Sequence, residues 1–137
     1  MKVVLEKDAI MPCLAHAADA GYDLYSREDA TIFPNCRALI DTGVHVAIPV
    51  GYEGHIRSRS SVMLKKGCIT DGTIDSGYTG SIGVILFNLS GKLVDIKKGE
   101  KIAQIVIEKV YTPELEQVDE LEATERGNSG FGSTGKF

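Results

Sequence analysis

A chain of 137 residues has room for one domain with a real core and too little for two comfortable ones. Hydrophobic content of 43% and charged content of 25% are ordinary globular values. Fifteen Lys and Arg against nineteen Asp and Glu leave a net charge of −4, which speaks against a general nucleic-acid binder while leaving room for a local basic patch. Three cysteines, Cys13, Cys36 and Cys68, form no CxxC pair. They read as free thiols in a reducing compartment and give no zinc framework. No N-terminal run joins a basic start to a long apolar core, so no signal peptide is expected. No apolar run approaches the roughly 20 residues of a membrane span. The expected location is the cytoplasm, or a host's cytoplasm for a virus- or phage-encoded chain, with no membrane and no stable nucleic acid as partner.

In chain order, Lys2–Glu6 reads as a first strand. Ala15–Ala20 is Ala-rich and suggests a helical turn ended by Gly21. Gly21–Ser26 is extended, with Tyr22, Leu24 and Ser26 on one face and Asp23 and Tyr25 on the other. Ala30–Phe33 precedes the turn Pro34-Asn35. Arg37–Asp41 and Val44–Ile48 are two strands broken at Thr42-Gly43, the second alternating in the half-buried manner. Tyr52–Arg57 alternates again. Ser61–Lys66 is the one short helix, with Ser60 or Ser61 as cap and Gly67 as stop. Ser81–Asn88 is apolar enough for a central strand. Leu93–Ile96 is a short strand, and Ile102–Val110 a long one, with Gln104 on the face of Ile102 and Val106. Short strands punctuated by Gly, Pro and Asn predict an all-β domain: a sandwich, jelly roll or barrel. After Leu121 the composition turns to Gly, Ser and Thr, so residues 1–121 read as the domain and 122–137 as a flexible arm.

Four segments carry chemistry. Gly72–Gly80 sets Asp75 and Tyr78 among three glycines, which admit φ > 0 and a close backbone approach to a ligand. Asp75 is there either a turn-former or a positioned acid–base. Arg57–Ser61 is either a polar loop with a helix cap or an anion site at a helix start. Gln104, in an apolar strand, either faces the surface or is hydrogen-bonded inside. Arg126–Phe137 has the spacing of a phosphate loop at Gly130, Gly135 and Lys136. Phe137 stands where Ser or Thr should follow and no helix comes after, so that loop is excluded. The choice is then between a plain Gly/Ser terminus and a polyphosphate arm of glycine amides, Ser133, Thr134, Arg126 and Lys136, with Phe131 free to lie on a planar ligand.

Taken in order, five segments resemble the five motifs of the homotrimeric dUTP pyrophosphatases: Ala20–Ser26, Arg57–Val62, Gly72–Gly80, Gly99–Ile105 and Arg126–Gly135. The resemblance runs from about Lys2 to the C-terminus. It implies a distorted jelly-roll-like β-barrel of the β-clip kind, with one short helix. It also implies a threefold trimer whose sites lie at the subunit junctions, each closed by another chain's glycine-rich arm. The implied reaction is hydrolysis of dUTP to dUMP and pyrophosphate with Mg²⁺ on the triphosphate, which limits uracil incorporation into DNA and supplies dUMP for dTMP synthesis.

On this resemblance Asp75 is the general base on the attacking water, and Tyr78 packs under the deoxyribose and leaves no room for a 2′-hydroxyl. The backbone from Ile69 to Tyr78, including Gly72 and Ile74, reads the uracil edge as a hairpin. Arg59, Ser60 and Ser61 match motif two, with Ser60 near the α- and β-phosphates, and Gln104 matches motif four beside them. Asp23 acts through magnesium-bound water or by holding a basic neighbour. Arg126, Gly132, Ser133 and Thr134 hold the γ-phosphate, and Phe131 stacks on uracil. Magnesium would be held by phosphate oxygens and water rather than by a protein cage. The chain departs from the family pattern at Gly77, Thr79, Ser58 and Ser61. A dCTP deaminase, which shares the fold, needs a glutamate near Ile85, and Ser81–Leu89 contains no acid. A nucleotide-controlled binding protein is the reading of another class; the intact Asp75 favours turnover.

Overall fold

Eleven short strands and one helix occupy the described residues, 1–130, of the computed structural model. In chain order they are β1 (Lys2–Leu5), β2 (Tyr22–Tyr25), β3 (Ala30–Ile32), β4 (Arg37–Asp41), β5 (Val44–Ala47) and β6 (Tyr52–Arg57). There follow α1 (Ser60–Lys66), β7 (Cys68–Ile69), β8 (Asp71–Ile74), β9 (Gly83–Asn88), β10 (Val94–Ile96) and β11 (Lys101–Lys109). The all-β expectation holds, and among the described residues no helix is long and apolar enough to cross a membrane.

The strands form four antiparallel sheets: β2–β11–β6–β8, β4–β9–β7, β1–β5 and β3–β10. The expected barrel is not closed, because no ladder among the described residues joins these sheets into a ring. They share one apolar core, in which Leu24, Ile40, Val84, Leu86 and Ile102 are fully buried. Short strands cannot wrap far, and β11 has an irregularity between Lys101 and Ala103 that resets its register with β2. β9 lies between β4 and β7, the central place its sequence predicts, but it buries Val84, Leu86 and Asn88 on one face and leaves Ile85 and Phe87 exposed. Leu39 pairs with Ile85 and is exposed too, so this sheet shows an apolar outer face.

Several local expectations are corrected. Ala15–Ala20 is a tight turn rather than a helical one, closed by the His16 amide donating to Asp19 Oδ2 at 2.9 Å. The helix cap is Arg59, in extended conformation and with no side-chain cap bond, rather than Ser60 or Ser61. The stop is as expected, since Gly67 takes φ 66° and returns its amide to Met63 and Val62 carbonyls. Nor is Ile69–Tyr78 a hairpin. β7 pairs with β9, whereas β8 crosses to β6, with Arg57 opposite Asp71 and Gly54 opposite Ile74. Gly72, Gly77 and Gly80 all avoid positive φ. Both faces of β2 are covered: Leu24 enters the core, and Asp23 is buried on the other side.

Candidate active site

Sheet order gathers residues that are far apart in sequence. Gln104 on β11 lies opposite Asp23 on β2 and opposite Arg57 on β6, and the chain leaving β6 delivers Ser58, Arg59 and α1 to the same end. Asp23, Arg59, Ser60, Ser61 and Gln104 line one cleft of about 270 Å³, together with Gly21 and Asp19. Asp23 is held between two cations, Arg59 Nε at 2.9 Å and Lys101 Nζ at 2.7 Å. With both oxygens paired, its charge serves to fix Arg59 at the cleft wall. Gln104 donates to the Ser58 carbonyl at 3.2 Å, so it is an inward, half-buried amide and not a surface residue. Gly21 makes its placement possible, because a Cβ there would fall 2.6 Å from Gln104 Oε1. Among the described residues the Ser60 and Ser61 hydroxyls bond to nothing, which leaves them open to a ligand.

Ser58, which departs from the motif-two pattern, has structural work of its own. Its hydroxyl donates to the Thr70 carbonyl at 2.8 Å and accepts the Thr70 amide at 2.7 Å, tying the start of α1 to the segment that leads into β8.

A second cleft, of about 330 Å³, holds Asp75 and Tyr78 with Ile74, Thr73, Leu39 and Ile85. The Tyr78 amide donates to the Asp75 carbonyl at 3.0 Å, closing the turn. Thus Asp75 is a turn-former through its backbone, while its exposed carboxylate has no hydrogen-bond partner among the described residues. Tyr78 is fixed more firmly: its hydroxyl donates to the Ser81 carbonyl at 2.9 Å. Its ring lies against Gly80, where a Cβ would sit 2.5 Å from the hydroxyl oxygen. That contact, not a positive φ, is why glycine is required there. Gly72 is ordinary strand, and a Cβ there would meet only Ile56 at 3.8 Å.

The two clefts share no lining residue. Ser60 follows the Arg57 end of the β6–β8 ladder and Asp75 follows the Ile74 end. At about 3.3 Å per strand residue, Asp75 stands roughly 13 Å along β8 from the level of Asp71 and Arg57. The structure therefore brings Asp23, Arg59, Ser60, Ser61 and Gln104 together, and Asp75, Ile74 and Tyr78 together, without joining the groups in one chain. Arg126 is exposed and donates to the Ser129 carbonyl at 3.0 Å. Phe131, Gly132, Ser133 and Thr134 lie outside the described residues.

Sequence reading missed Lys101, whose pairing with Asp23 has no local signal, and a cluster of Glu53, His55 and Glu108 on the outer face of β6 and β11. These three could hold a metal ion, but Arg57 is paired with Glu108, and His55 Nε2 lies 2.7 Å from Asp71 Oδ1. The Asp71 bond is the main reason that His55 titrates above its usual range. A larger depression of about 570 Å³ between α1 and the β9–β10 loop contains none of the candidate residues.

The dUTPase family model matches residues 7–135. The deoxyuridine 5'-triphosphate nucleotidohydrolase of Clostridium novyi is 48% identical over 98% of this chain and 99% of its own. The human mitochondrial enzyme of that name is 43% identical over 96% of this chain and 53% of its own. Among solved structures, a point mutant of the Staphylococcus bacteriophage 80alpha dUTPase with dUpNHpp superposes with a TM-score of 0.92 at 38% identity, covering 98% of each chain. A mutant dUTPase from phage phi11 of S. aureus, described with a structural Mg(II) ion, has a TM-score of 0.82 at 35% identity, covering 89% of this chain and 98% of that one.

Proposed function

Since the chain belongs to the dUTPase family and is an enzyme that hydrolyses dUTP, we propose that it does so at sites shared between copies, with Asp75 of one copy facing the phosphate cleft of another. The observation that carries this reading is the division of the site. Asp75 and Ser60 both belong beside the α-phosphorus, yet they stand at opposite ends of one ladder. A second copy can supply what one chain lacks. The exposed apolar face of Leu39, Ile85 and Phe87 beside the Asp75 cleft gives such a copy a surface to cover. A threefold ring satisfies every site, and the arm beginning near Arg126 would close each from a third chain.

The chemistry follows from the Asp75 carboxylate, which has no partner among the described residues. Asp75 orients a water and takes its proton as the water oxygen bonds to the α-phosphorus. The bond from that phosphorus to the bridging oxygen breaks, and pyrophosphate leaves with dUMP behind. Arg59, held by Asp23, and the open hydroxyls of Ser60 and Ser61 stabilise the charge gathering on the phosphates, with Gln104 as a further donor. Tyr78, locked to Ser81 and Gly80, presents a rigid ring where a 2′-hydroxyl would project.

The donor set suits a magnesium ion carried on the triphosphate. Both Asp23 oxygens already face cations, so Asp23 would reach the ion only through water. When bound, the ion supplies charge neutralisation on the phosphate oxygens. The test is pyrophosphate release from dUTP, UTP, dCTP and dTTP with and without Mg²⁺. Rapid, Mg²⁺-dependent release from dUTP alone is expected. Equal turnover of UTP and dUTP would remove the role given to Tyr78.

A further inference from the structure

A ring of polar contacts brackets Tyr78 and meets the second cleft at Ser81. His45, on β5, presents Nδ1 to the Thr79 carbonyl at 2.8 Å and Nε2 to Glu6 Oε1 at 2.9 Å. The other Glu6 oxygen takes Arg27, which also reaches Asp41. Asp41 in turn accepts the Ser81 hydroxyl, and the Gly43 amide at 3.1 Å. The ring thus begins on Thr79 and returns on Ser81. Between them is Gly80, on which the Tyr78 ring rests, and Ser81 carries the carbonyl that holds the Tyr78 hydroxyl. Any shift of this four-residue backbone moves the ring directly.

Both partners of the His45 ring are acceptors. A neutral imidazole has one N–H, so it satisfies one of them and turns a lone pair towards the other. The imidazolium donates to both. We infer that His45 is a positioning residue for Tyr78: its protonated form latches the loop in the geometry that rejects ribose, and the discrimination between dUTP and UTP weakens when the proton is lost. The inference rests on the role proposed above for Tyr78.

The charged groups around the latch agree with it. Glu6, from the end of β1, and Asp41, from β4, both favour a cation at His45, while Arg27 is held by these same two carboxylates. The Thr79 carbonyl, followed by Glu6, raises the His45 pKa above its ordinary 6.5. A raised pKa means that the latch is complete below the ordinary value and opens as pH rises through the higher, folded-state one.

The experiment measures kcat/KM for dUTP and for UTP from about pH 5.5 to 9, spanning the histidine titration, in wild type, His45→Ala, His45→Gln and Tyr78→Ala. The wild-type dUTP/UTP ratio is expected to fall with rising pH, with a midpoint matching the His45 pKa read from its ring resonances by NMR. His45→Ala should lower the ratio about tenfold and make it flat with pH. If that variant does not fold, His45→Gln, which keeps a single donor group, should show the same flatness. A ratio and pH profile unchanged in the foldable His45 variant, or a wild-type His45 pKa at or below the ordinary value, overturns the latch. Tyr78→Ala separates the two levels. If it leaves the ratio intact, the role of Tyr78 itself fails; if it collapses the ratio while His45 variants do not, only the latch fails.

Discussion

The Asp75 carbonyl closes its turn at 3.0 Å from the Tyr78 amide, and the carboxylate on the same residue has no partner among the described residues. Turn formation and the acid–base work proposed for Asp75 therefore use different atoms and do not compete. Asp75→Asn keeps the backbone bond and nearly the same shape but cannot accept a proton. It should retain dUTP affinity, measured by titration calorimetry, while kcat falls roughly a hundred- to ten-thousand-fold. A variant with full activity would assign the base elsewhere. Lys101 and Asp23 show the reverse economy. Asp23 is nearly inaccessible and both its oxygens face cations, so it holds Arg59 in position at the cleft wall.

At the level of elements, the site depends on how α1 and β9 are pinned. Asn88, fully buried at the end of β9, donates to the carbonyls of Ile32, Phe33 and Lys92 and accepts the amide and hydroxyl of Ser90. The next amide, of Leu89, donates to Gly67, the stop of α1, at 2.9 Å. Asn88→Ala removes the donor to the buried Ile32 carbonyl and to the part-buried carbonyls of Phe33 and Lys92. It should cost about 3 kcal/mol, roughly 10 °C in Tm by scanning calorimetry. A shift of only a degree or two would mean that the network relaxes to find other partners. β5 and β6 were legible because alternating burial leaves alternating residues, and β9 because its run of apolar residues is unbroken. β8 was not, since Asp-Gly-Thr-Ile has little strand preference and is held by its pairing with β6. Candidate site residues could be named from sequence where a motif carries them, as at Asp75, Tyr78 and Gln104. Lys101 and His45 act across long separations, and their neighbours in sequence say nothing of Asp23 or Thr79. The cap was misplaced by one or two residues because Ser60 and Ser61 are both good caps in sequence, while Arg59 takes the position by its extended backbone and without a side-chain cap bond.

For the whole molecule, the proposed sharing of each site between copies, read from two clefts at opposite ends of the β6–β8 ladder, has a quantitative consequence. Asp75→Asn removes the base from one cleft, and Arg59→Ala removes the anchored cation from the other. Each pure variant should be at least about a hundredfold less active. If the two kinds of chain are unfolded together in equal amounts and refolded into mixed trimers, each site draws its Asp75 and its Arg59 from different chains. The chance that both are intact is one half times one half, so the mixture should recover about a quarter of wild-type activity. Were the site contained in one chain, every site in the mixture would carry one defect, and no activity would return at any ratio. Sedimentation equilibrium on the same samples fixes the assembly: trimers with recovered activity support the shared site, and trimers without it confine catalysis to single chains. Because the recovered fraction depends on the product of the two proportions, it should be greatest at equal mixing and fall symmetrically on either side. Contamination by wild type or simple stabilisation of one variant would not give that curve.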